Sequence, residues 1–160
     1  MITFLTRFIF FLGALIVFGA ILRLIYRGRR GDEAALRHGA NLASWVVVAM
    51  CGIYLGFAFA NPHHPITPFE IFFNGQLISF LILTRYNRVA PRLVLATLLI
   101  GVHGVWDGLH LFTLPLAADL VPAWYAVACA IFDLGYFGAA LPVCLPLLRS
   151  LLPRPVPQET

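Results

Sequence analysis

The chain has 160 residues, 61% of them hydrophobic and 11% charged, with a mean hydropathy of +0.88. That profile excludes an ordinary soluble domain and predicts an integral membrane protein of a few spans, with no sizeable soluble module beside them. All eleven basic residues are Arg, so a lysine Schiff base such as a retinal link is excluded; the formal charge of +4 sits in short loops, as a topology signal and not as a nucleic-acid surface.

Five apolar segments follow in order, residues 2–26, 40–60, 68–84, 91–112 and 122–148, each long enough for a crossing of roughly 30 Å, the third being the shortest. Arginines come after the first segment and no small-residue cleavage signal is present, which predicts a retained span and not a removed signal peptide. Arg23, Arg27, Arg29, Arg30 and Arg37 follow span one, Arg85, Arg88 and Arg92 follow span three, and Arg149 and Arg154 follow span five. Ten of the eleven arginines therefore fall on one side, which the positive-inside rule makes cytoplasmic. Arg7 is the exception, and near a helix end it can snorkel outward. The expected fold class is all-α: a single polytopic domain over residues 1–152 with five transmembrane helices, the N-terminus outside and the C-terminus cytoplasmic. A short flexible tail, residues 153–160, is expected from Pro153-Arg-Pro-Val-Pro157. The bilayer is the implied partner, an oligomer is compatible with the pattern, and nucleic acid is not expected.

Cys51, Cys129 and Cys144 are isolated in apolar runs and are read as packing residues, not as a disulfide or thiolate framework. The chemistry concentrates elsewhere. Span four contains His103-Gly-Val-Trp-Asp107-Gly-Leu-His110 and span five contains one charge, Asp133. A carboxylate at the centre of a transmembrane helix costs about 2.5 to 3.5 kcal/mol, so such groups usually face a bundle interior and serve a function.

At about 100° per residue, Asp107 and His110 lie within roughly 40° of the His103 direction, while Gly101, Gly104 and Gly108 gather on the opposite face. His103 and His110 are about 10 Å apart along the axis, so one helix cannot give all three residues to one ion. A mononuclear site drawn from His103, Asp107 and His110 would borrow Asp133, Glu70, His63 or His64, with zinc or iron as the candidate divalent metal. The topology puts these groups in the outer half of the bundle. The catalytic candidates are His103, Asp107 and Asp133.

Span five places Tyr125, Cys129, Asp133 and Tyr136 on one stripe, and Asp133 read structurally would accept a bond from a neighbouring Tyr or Trp. Asn74, Trp106 and Tyr125 are the candidate substrate-binding residues. Thr67-Pro68-Phe69-Glu70 matches a capping box, with Thr67 as N-cap and Glu70 bonding back to it, which assigns Glu70 a local role. His63 and His64 read as solvated loop residues, or as lid ligands if either folds inward. Trp45 and Trp124 read as interface anchors.

His103-x3-Asp107-x2-His110 followed by Pro122-x-Trp124-Tyr125-x3-Cys129-x3-Asp133 resembles, over about the last 60 residues, an uncharacterised family of small bacterial integral membrane proteins. Here one His follows the Asp where that family carries a pair. The resemblance implies a multi-pass protein of the bacterial inner membrane and links Asp107 to Asp133, and it implies no activity. The five-span plan with a His and acids is also similar to sterol-isomerase-like membrane proteins in outline alone. Three functions are therefore carried forward: an enzyme acting on a lipophilic substrate by acid–base or metal-assisted chemistry; a metal-, proton- or haem-binding transport or redox subunit; and a structural assembly subunit.

Overall fold

In the computed structural model, which describes residues 2–84, 88–112 and 120–151, five helices account for most of the described residues: α1 (Ile2–Arg29), α2 (Glu33–Ala60), α3 (Thr67–Leu83), α4 (Val89–Phe112) and α5 (Ala123–Leu151). The expected tail at residues 153–160, Arg85 and most of the loop at 113–121 lie outside the described residues. Among the described residues, four helices are long and apolar enough to cross a membrane. The 17 residues of α3 span only about 25 Å at 1.5 Å each, short of a full hydrocarbon thickness.

Helix α2 begins at Glu33, earlier than the apolar segment from residue 40, because capping sets its start and not hydropathy. Asp32 accepts the Ala35 N–H at 2.9 Å and the Arg27 guanidinium at 2.7 Å. The Ala35 amide, and then Arg27, hold the Asp32 carboxyl below the usual range. Gly31, with φ +98°, makes the reversal that an L side chain resists.

Helices α1, α2, α4 and α5 form a closed ring in which each packs on the next, and α3 lies against α2 and α4 from outside the ring. Small residues permit the close approaches. A methyl group on Gly104 would sit 2.8 Å from Asp133 Cβ, and one on Gly101 would sit 2.7 Å from the Phe137 ring, whereas Gly108 meets nothing within 4 Å. Two of the three glycines of α4 thus face α5, and the glycine face adjoins the polar stripe instead of opposing it.

The bundle has an apolar core, an apolar exterior and a small set of buried polar groups. Phe8, Ile16, Ile53, Phe72, Val105 and Ile131 are exposed, while Glu70, Asn74, Thr97, His103, Asp107, His110 and Asp133 are buried. Arg7 lies over the Trp124 ring at 5.3 Å, tying the start of α1 to the start of α5. Pro142 and Pro146 lie within α5, where each removes one N–H from the helical ladder.

Candidate functional site

Inside the ring, α4 supplies His103 and Asp107, α5 supplies Asp133 and α2 supplies Tyr54. His103 is fully buried, with Nδ1 3.2 Å from Asp107 Oδ2 and 3.2 Å from Asp133 Oδ2. Asp107 accepts a hydrogen bond from the Tyr54 hydroxyl through Oδ1. Among the described residues its other oxygen, Oδ2, has no hydrogen-bond partner, and neither has His103 Nε2. Tyr54 also sets its ring edge-on to His103, with centroids 4.9 Å apart.

Two carboxylates and one imidazole in a dry layer require compensating positive charge. Protonating His103 and one carboxyl supplies it, and so does a divalent cation. One ligand atom from each of His103, Asp107 and Asp133 lies within 4.8 Å of the others, so the group could hold a metal ion. Donors about 2.0 to 2.2 Å from a tetrahedral ion stand about 3.3 to 3.6 Å from each other, close to the two His103–carboxylate separations. The free Asp107 Oδ2 is the atom such an ion would satisfy.

His110 belongs to a different cluster. Its Nδ1–H donates to the Trp106 carbonyl at 3.0 Å, which directs Nε2 to Glu70 Oε1 at 2.5 Å. Because the Trp106 carbonyl can only accept, Nδ1 carries a proton, and one further proton bridges Nε2 and Glu70 Oε1. Trp106 donates its indole N–H to both Glu70 oxygens at 3.3 Å, and Asn74 donates to Glu70 Oε2 at 3.0 Å. The Trp106 ring stacks on Phe73 and Phe69 at 4.5 and 5.1 Å. The residues expected to line a substrate cavity, Asn74 and Trp106, therefore surround Glu70 between α3 and α4, and His110 is set apart from the metal-capable group.

The capping box expected at Glu70 does not form. Ile66 occupies the N-cap position of α3 without a side-chain cap bond, and Thr67 is already helical. The N–H that Glu70 would have bonded donates to the His64 carbonyl instead, and the Thr67 hydroxyl donates to the Asn61 carbonyl at 2.7 Å. Freed from the cap, the Glu70 carboxylate turns inward to three side-chain donors. His63 is exposed, and His64 Nδ1 accepts the Ile66 N–H at 3.4 Å, so both histidines stay in the loop.

Asp133 bonds His103, and the tyrosine bond expected for it goes to Asp107. Tyr125 and Cys129 continue the Asp133 stripe along one wall of a groove of about 320 Å³ between α1, α2 and α5. Phe10, Ala14, Met50 and Phe132 make the rest of that wall apolar, and the groove reaches Asp133. Tyr136 lies deeper, with its hydroxyl 3.3 Å from Thr97 Oγ1. Tyr54 is the member of the His103 cluster that sequence reasoning misses. Its one signal is position: it continues the buried stripe Ala40, Ala43, Val47, Cys51 at helical spacing.

Comparison of the chain with protein-family models, with curated proteins and with solved structures finds no match.

Proposed function

We propose that the chain is a membrane-embedded enzyme acting on a lipophilic substrate, with His103, Asp107 and Asp133 as its catalytic or metal-ligating residues. The observation that carries this reading is the groove between α1, α2 and α5: an apolar passage on the flank of the bundle that ends on the one carboxylate of α5. An apolar pocket with a few convergent polar groups is the usual form of a small-molecule site. In this reading Asp133 meets the substrate, Asp107 is fixed in orientation by Tyr54, and His103 holds and passes a proton at Nδ1 when no metal is bound. A zinc or iron ion would take that proton's place, with one donor from each of His103, Asp107 and Asp133. Three protein ligands leave a position for water or substrate, which is the pattern of a catalytic and not a structural site.

The protein in this account crosses the bacterial inner membrane five times, the 17-residue α3 making the shortest crossing with the bilayer thinned to match it, and has its N-terminus outside and its C-terminus cytoplasmic. The positions of the arginines support that orientation, and the exposed apolar side chains support a bilayer as the surrounding partner. The test is untargeted lipid mass spectrometry after incubating purified wild type or Asp133→Asn with a bacterial lipid extract. A lipid species consumed by wild type and untouched by the variant supports the enzyme; identical lipid profiles with and without wild type refute it.

A second reading, proton or cation transfer, is favoured by one further observation. The Tyr54 ring stands between the two clusters, 4.9 Å from the His103 ring and 5.8 Å from that of His110. Proton uptake into proteoliposomes that depends on His110 and Glu70 would support that reading over the enzyme. Haem binding would instead show as a Soret band in the purified protein, and a purely structural role as loss of assembly with no separate functional change.

A further inference from the structure

A second cavity, of about 470 Å³, lies at the arginine-rich end of the bundle and outside the His/Asp centre. Its polar end is formed by Asn41, Ser44 and Arg92, with Trp45 beside them, and its apolar wall by Val48, Leu81 and Ile82. Arg92 is half-buried, yet among the described residues its buried Nε has no hydrogen-bond partner and its guanidinium pairs with no carboxylate. An uncompensated buried guanidinium donor is costly and calls for an acceptor from outside the chain. Its planar donors suit a phosphate. Trp45, 69% exposed, gives the rim an amphipathic indole of the kind found at headgroup depth, while Ile82, 58% exposed, extends the apolar wall outward.

On the reading of the chain as a membrane protein, we infer that this groove binds a phosphate group, Arg92 and Asn41 donating to its oxygens, with the apolar wall suited to the acyl chain of a phospholipid. The site is separate from the catalytic proposal, since its lining includes none of His103, Asp107 and Asp133.

The test is native mass spectrometry of the full chain in detergent, titrated separately with phosphatidylglycerol, with diacylglycerol of the same acyl chains, and with inorganic phosphate. The inference expects phosphatidylglycerol to bind at least about tenfold more tightly than diacylglycerol, and Arg92→Gln to lower that affinity by about tenfold. Arg92→Lys should retain part of it, and Asn41→Leu should weaken it less. Saturation by inorganic phosphate, lost in Arg92→Gln and without preference for the phospholipid, would support the phosphate site and assign its ligand to soluble phosphate. Equal binding of the two lipids by folded wild type with no uptake of inorganic phosphate overturns the inference, and this comparison stands even if Arg92→Gln does not fold. Asp133→Asn should leave phospholipid binding unchanged, so failure here and failure of the enzyme proposal are distinguishable.

Discussion

Tyr54 of α2 donates a hydrogen bond to one oxygen of Asp107 on α4, leaving the other, Oδ2, without a donor and 3.2 Å from His103 Nδ1. The tyrosine thereby decides which oxygen of the carboxylate stays unbonded among the described residues. Tyr54→Phe keeps the ring packing and removes the donor. It should cost about 1 to 3 kcal/mol for the unsatisfied buried oxygen. Denaturation in detergent reads that cost, and substrate turnover or bound metal should fall further than the lost stability accounts for.

The closeness of α4 and α5 is a condition for the site. Gly104→Ala places a methyl group 2.8 Å from Asp133 Cβ and 3.2 Å from the Leu134 backbone nitrogen, which α5 can relieve only by moving away. Overpacking of this kind should cost about 1 to 3 kcal/mol and separate Asp133 from His103. Gly108→Ala, one turn further on, meets nothing within 4 Å and should be neutral or slightly stabilising. Thermal melts of the two variants measure the contrast.

The Glu70–His110 pair is a second centre with its own energetics. Glu70→Ala leaves His110 Nε2, the Trp106 N–H and an Asn74 N–H without their acceptor. The expected loss is about 3 to 5 kcal/mol, as for one partner removed from a buried charged pair. His110→Asn should lower stability while leaving any metal bound by His103, Asp107 and Asp133 in place. A His110→Asn protein that loses its metal would show that the two clusters act as one.

Hydropathy alone gives five helices, and the α4 stripe with Asp133 facing it follows from helical periodicity and topology. What is not legible depends on contacts between helices. Tyr54 looks like any aromatic in an apolar run until α2 is laid against α4. Glu70 matches a capping box because that motif is local, and only the arrival of Trp106 and His110 from 36 and 40 residues away shows that the carboxylate has better partners. His110 shares a face with His103, but neighbours at different heights divide that face: α2 and α5 take Asp107 and His103, and α3 takes His110. The start of α2 is likewise set by the Asp32 cap and Gly31, features that hydropathy does not weigh.

The groove makes its own demand on a lipophilic substrate. Gly13 lines it, and a methyl group added there would meet no atom within 4 Å, so Gly13→Leu has an unobstructed Cβ from which its branches narrow the passage. Turnover of the lipid substrate should fall while metal content and melting temperature hold. Unchanged turnover would place the entry route elsewhere.

The most direct measurement is the metal content of the full chain, purified in detergent without chelators and then equilibrated with zinc or iron(II). The account expects about one divalent ion per chain in wild type, by one imidazole and two carboxylates acting together, and loss of that ion in Asp107→Asn/Asp133→Asn while His110→Asn keeps it. Metal at background level in saturated, folded wild type, or a stoichiometry unchanged by the double substitution, would contradict it.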